Sequence, residues 1–105
     1  MKIRENLDAF VASHPDIYDA YSTFGKRVHE QGGPLDERTR WLIKVAVSGA
    51  LGHEKAHITH MGKALEAGCT PEQIEHAILL TAPTAGFPRM MEAFERFREL
   101  RREDR

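Results

Sequence analysis

Leu51-Gly-His-Glu-Lys-Ala-His-Ile-Thr-His-Met-Gly-Lys-Ala-Leu-Glu-Ala-Gly-Cys-Thr70 reads as one helix closed by a glycine, and it carries three of the chain's six histidines. At about 100° per residue, His53, His57 and His60 fall within roughly 60° of one another around the helix axis. They are expected to share one face. Imidazole is the side chain whose ordinary titration lies nearest neutral pH, so acid/base chemistry in this chain is expected to start there. Gly68 is placed to end the helix in a left-handed conformation. Thr70-Pro-Glu-Gln73 then opens the next helix, with a capping threonine, a proline in the first turn and a glutamine that completes a capping box.

The remaining punctuation also falls at intervals of a short helix. Ile3, Leu7, Phe10 and Val11 give an amphipathic pattern over residues 3–13, and Pro15 opens a second helix that runs to Gln31. Gly32-Gly-Pro34 ends that helix. Asp36 is positioned to cap a third helix from Glu37 to about Leu51, and the histidine helix is expected from about Gly52 to Ala67. Pro83, Gly86 and Pro88 break or kink the chain beyond the fifth helix. A last helix is expected from about Arg89 to Leu100, burying Met90, Met91, Phe94 and Phe97, with a charged tail from Arg98 onward that frays. No polar–apolar alternation is long enough for a strand, so the expected fold class is all-α: a bundle of about six short helices in a single domain over residues 1–105.

The third helix differs from the others. Trp41, Leu42, Ile43, Val45, Ala46, Val47, Ala50 and Leu51 wrap most of its circumference, and a helix that is apolar all round is a buried one. A chain of 105 residues offers few neighbours to surround it. A second subunit is therefore expected to cover part of this helix, making the protein a homo-oligomer.

Composition removes several function classes. Fifteen Lys and Arg stand against 16 Asp and Glu, for a net charge of -1, and no basic patch is interleaved with aromatics as nucleic-acid binding requires. The longest apolar run, Val45-Ala-Val-Ser-Gly-Ala-Leu51, falls well short of the roughly 20 residues of a membrane span. No apolar leader follows Met1, which reads as a cytoplasmic protein. The single cysteine, Cys69, cannot close an intrachain disulfide and is expected to be a small buried hydrophobe.

Several chemistries compete for the histidine stripe. His53-Glu54-Lys55-Ala56-His57 matches the His-Glu-x-x-His pattern of zinc proteases, with Lys55 an unfavourable neighbour for a cation. A divalent metal could instead use His53 and His57 with a further ligand from another helix or subunit, since His53 and His60 stand about 10 Å apart along the axis. The stripe could also be a plain solvated or interfacial polar face. The remaining reading is a cofactor-free acid/base pocket acting on a small-molecule substrate. His14, His29 and His76 read as ordinary helix-surface or helix-end positions, and the charge run from Arg96 to Arg105 as a solvated face.

From Leu35-Asp-Glu-Arg-Thr-Arg40 through Ala50-Leu-Gly52 to His60, and on through Lys63-Ala-Leu-Glu-Ala-Gly68 and Thr70-Pro-Glu-Gln-Ile-Glu-His-Ala77, the chain resembles the carboxymuconolactone decarboxylase and alkylhydroperoxidase D-like family. The resemblance covers roughly residues 34–90. It implies an all-helical subunit in an oligomer, often a trimer or hexamer, with pockets at or near subunit contacts. The peroxidase branch of the family carries a Cys-x-x-Cys-x-x-x-His motif; aligned on His60, its cysteines fall at His53 and Ala56 and its relay glutamate at Trp41. Thiol peroxidase chemistry needs an attacking and a resolving sulfur, and Cys69 matches neither position. The closer analogy is the decarboxylase branch, with a histidine that protonates an enolate after carbon dioxide leaves. On that analogy His60 transfers the proton, His57 is its partner or orienting group, His53 lines the pocket, Glu54 tunes a neighbouring imidazole and Trp41 forms an apolar wall. Arg38, Arg40 or Lys44 would hold the substrate's carboxylate if they face the pocket. The alternative is a non-catalytic binding or assembly module.

Overall fold

The computed structural model describes residues 3–103. Their order is α1 (Ile3–Ser13), α2 (Pro15–Gln31), α3 (Glu37–Leu51), α4 (Glu54–Glu66), α5 (Pro71–Leu79), α6 (Ala82–Ala85) and α7 (Phe87–Glu103). Among the described residues there is no strand, and the all-α expectation holds with six helices of nine residues or more plus the single turn α6. Among the described residues no helix is long and apolar enough to cross a membrane. The helices fall into two compact units, α1 with α2 and α3 through α7.

Local signals set most boundaries. The Asp36 side chain accepts the Thr39 N–H at 2.8 Å, and Thr70 and Gln73 form the reciprocal capping box across the start of α5. Replacing either cap with alanine orphans a first-turn N–H and is expected to cost about 1 kcal/mol of stability, measured by urea titration. In the first unit α2 buries no side chain, and Ile17, Tyr21, Phe24 and Val28 are exposed along it.

Three boundaries differ from the sequence reading. Gly52 adopts φ 74° and ends α3 instead of beginning the histidine helix, so His53 becomes the cap residue before α4. Pro88 occupies the first turn of α7, where a missing N–H costs nothing, so that helix starts at Phe87. The tail expected to fray from Arg98 is helical to Glu103, because Phe97 is buried and Leu100 packs on the core while Arg101 and Arg102 oppose the helix dipole favourably.

The second unit holds the core. Val45, Met61, Ala64, Cys69, Ile74, Ile78, Met90, Ala93 and Phe97 are buried together, with Trp41, Leu42, Ile58, Leu65, Phe94 and Leu100 packed around them. Cys69 is buried as expected, its thiol donating to the Arg38 carbonyl, and burial pushes its pKa up. Met91, expected in the core, is exposed instead, since it lies one residue out of phase with the stripe of Met90, Ala93 and Phe97. Helix α3 buries Val45, Ser48 and Gly49 against the other helices, yet leaves Ile43, Val47 and Leu51 about half exposed along one row.

Candidate functional site

The three histidines of the opening stretch do not converge. His53, displaced from the helix by the left-handed Gly52, is exposed and caps nothing with its side chain. Glu54 is also exposed, in the first turn of α4, and makes no hydrogen bond or ion pair among the described residues. His57 is completely buried and turns toward α7, whereas His60 is half-buried and turns toward α3.

The environment of His60 is made by one face of α3. Trp41, Lys44 and Ser48 recur at spacings of three and four, so they line the same side of that helix. Ser48 donates its hydroxyl proton to the Lys44 carbonyl at 2.7 Å, the ordinary i−4 bond of a helical serine. Its lone pairs therefore receive His60 Nδ1, at 3.0 Å, and the Lys44 carbonyl lies 3.2 Å from the same nitrogen. Both neighbours of Nδ1 are acceptors, which puts the proton on Nδ1 and leaves the lone pair on Nε2. Burial pushes the His60 pKa below its ordinary 6.5; the Lys44 ammonium acts in the same direction, and the hydrogen bond to the Lys44 carbonyl opposes them. The imidazole is a neutral base at pH 7. Trp41 lies beside it, with ring centroids 6.0 Å apart and planes inclined by 45°, and the Lys44 ammonium sits 4.9 Å above the same indole.

His57 is built differently. Arg96 donates its Nε–H to His57 Nδ1 at 3.0 Å, which fixes Nδ1 as the acceptor and places the ring's own proton on Nε2. That second nitrogen is buried, finds no hydrogen-bond partner among the described residues, and lies against Gly49, where an added Cβ would stand 3.1 Å away. Burial, the Arg96 cation and His60 together lower the His57 pKa from 6.5 to about 4. Arg96, read from sequence as part of a solvated run, is instead half-buried at the α4–α7 contact. With one nitrogen occupied by a cation and the other walled off, His57 has no lone pair to give a metal. Among the described residues no three His, Cys, Asp or Glu side chains stand close enough to share an ion. The His53–His57 pair therefore does not make the zinc-protease arrangement that its spacing suggests, because that arrangement needs both rings on one helix face.

Residues 15–99 match the carboxymuconolactone decarboxylase family. The chain belongs to that family. It is 32% identical over 96 residues to an uncharacterized protein of Methanocaldococcus jannaschii, a match covering 91% of this chain and 89% of that one. As a carboxymuconolactone decarboxylase family member it has an imidazole at position 60, supported from the neighbouring helix.

Sequence reasoning missed Ser48 and Arg96. Ser48 had a signal, being the lone hydroxyl in the most apolar stretch of the chain, where only a buried partner justifies it. Arg96 had none, since its environment is made by a residue 39 positions away. A groove of about 390 Å³ between α3 and α5 also escaped the sequence; Thr39, Leu42, Ile43, Ala46, Gln73, His76, Ala77 and Leu80 line it, and no histidine of α4 reaches it.

Proposed function

We propose that this family member carries out cofactor-free acid/base chemistry on a small carboxylate, decarboxylation or lactone–enol conversion, with His60 as the group that moves the proton. One observation carries the reading: Ser48 and the Lys44 carbonyl hold the proton on Nδ1, leaving Nε2 as the basic nitrogen of a half-buried imidazole. A base that is neutral at pH 7 and oriented through its other nitrogen can take a proton from carbon and return it to the enolate in a lactone–enol conversion; in a decarboxylation it takes the proton of the substrate's carboxyl group, and after carbon dioxide leaves the imidazolium gives that proton to the enolate carbon. Trp41 provides the apolar wall beside it. Thiol peroxidase chemistry is not part of this proposal, since Cys69 is the chain's one sulfur nucleophile and burial holds it as a thiol. His57, His53 and Glu54 stay outside the proton-transfer step, His57 acting as a buried support for α4.

The test is carbon dioxide release from a panel of carboxylated γ-lactones and β-keto acids. His60→Gln is expected to abolish turnover of any panel member the unaltered protein accepts, and to leave the helical circular-dichroism spectrum unchanged. The acid limb of the rate profile is expected below the ordinary imidazole value of 6.5, because the base must be neutral. Equal turnover by His60→Gln would remove His60 from the mechanism.

The exposed row Ile43, Val47 and Leu51 favours a second reading alongside the first, a homo-oligomer whose subunits meet along α3. Sedimentation velocity tests it. A Val47→Asp protein that sediments as a smaller species than the unaltered one is the expected result.

A further inference from the structure

We infer that the apolar stripe of α2, Ile17, Tyr21, Phe24 and Val28, seats in the α3–α5 groove of a second copy of this chain. The inference rests on the oligomer reading above, in which α3 meets a partner subunit, and names the surface that the partner brings.

Spacings of four, three and four residues put these side chains on one face of α2. They are 54–67% exposed, and the helix buries none of its 17 residues. A helix of that length is marginal in water without a packed face, so the stripe is expected to be covered. The family match starts at residue 15, where α2 itself starts, which makes this helix part of the shared domain and not an appended leader.

The receiving surface suits large apolar side chains. The groove holds about 390 Å³ over Leu42, Ala46 and Ala77, with Ile43 and Leu80 exposed at its edges. Tyr21 and Phe24, one turn apart at the middle of the stripe, are the side chains large enough to fill it, and His76 on the groove wall offers the Tyr21 hydroxyl a polar partner. Area supports the match. At roughly 150–250 Å² for a large side chain, the stripe leaves about 500 Å² in water. The exposed Ile43, Val47, Leu51, Leu79 and Leu80 on α3 and α5 leave about as much again, and either surface alone is near the upper end, about 600 Å², of what a lone chain carries. Joining the two removes about 1,000 Å², the size at which a specific contact is expected.

Charge argues against a lipid surface as the cover. From Arg4 to Glu30 the first unit carries three cations, Arg4, Lys26 and Arg27, against five anions, Glu5, Asp8, Asp16, Asp19 and Glu30. A helix that lies on anionic lipid instead carries Lys and Arg along its polar face. Stripe and groove are both open on the single chain, so each copy gives one and receives one, and such a head-to-tail contact serves every copy once it closes into a ring.

Cys69 is the chain's one thiol and is buried, so an introduced surface cysteine reacts by itself. Tyr21→Cys and His76→Cys proteins, differently tagged and refolded together, are treated with a short bis-maleimide. The expected product is a covalent dimer carrying both tags, in a yield well above the dimer yield of either protein alone. No mixed dimer, or a doubly substituted protein that links only within one chain, would overturn the inference. Phe24→Asp is expected to sediment as a smaller species with an unchanged helical circular-dichroism spectrum, because Phe24 is exposed on its own chain, and Phe24→Leu is expected to keep the full size. An assembly that shrinks in Val47→Asp but not in Phe24→Asp would overturn this inference and leave the α3 contact standing, whereas an unaltered protein that sediments as a monomer would overturn both. Co-flotation with phosphatidylserine vesicles that is lost in Phe24→Asp, with the assembly unchanged, would overturn it in favour of a lipid surface.

Discussion

His57→Ala is expected to lower the unfolding free energy by about 3–5 kcal/mol, among the larger effects a single substitution produces. The loss has two sources. Removing a fully buried ring leaves a cavity where α3, α4 and α7 meet, and it takes away the acceptor of the Arg96 guanidinium, stranding a partly buried charge. Breaking one member of such a pair is more costly than removing both, since an apolar pair of similar volume leaves nothing unsatisfied. The double substitution His57→Leu with Arg96→Met is therefore expected to recover much of the stability lost in His57→Ala. Urea titration of both proteins and of Arg96→Met gives the comparison, and strictly additive single effects would show that the two side chains act independently.

Acid is expected to destabilise the fold through the same ring. In the folded protein His57 has a pKa of about 4, whereas its ordinary value is 6.5. Between these two values the unfolded chain binds a proton that the folded chain refuses, so stability falls as the pH drops from about 6.5 to about 4 and this contribution is fully lost below that. The size is at most about 3 kcal/mol from the shift alone, and less where the helices loosen to admit water. Protonation also places a cation against Arg96 and ends the Nδ1 acceptor role, which agrees in sign. A series of thermal melts over this range is expected to show the loss in the unaltered protein. The slope is expected to flatten in the His57→Leu, Arg96→Met protein; an equally steep slope there would assign the acid sensitivity to other groups.

The helices were legible because their signals act within a turn. Asp36 before Thr39, the Thr70–Gln73 box and Gly68 each determine a boundary through a bond to a residue at most a few positions away. Gly52 misled for the same local reason: a glycine between two helical patterns can open one or close the other, and the bonds from its N–H back to Gly49 and Ser48 decide for closing. Once it closes α3, His53 leaves the stripe.

An all-helical chain, its family, and an imidazole at position 60 without paired sulfurs to make it a redox site could all be read from the order of residues. It took the packing of the helices to bury His57 on Arg96 and to lean His60 on Ser48 and Lys44, across separations of 39, 12 and 16 residues. Helical periodicity says which residues share a face. It does not say which neighbouring helix lies on that face, and burial and hydrogen-bond partners, which set the proton affinity of an imidazole, come from that neighbour.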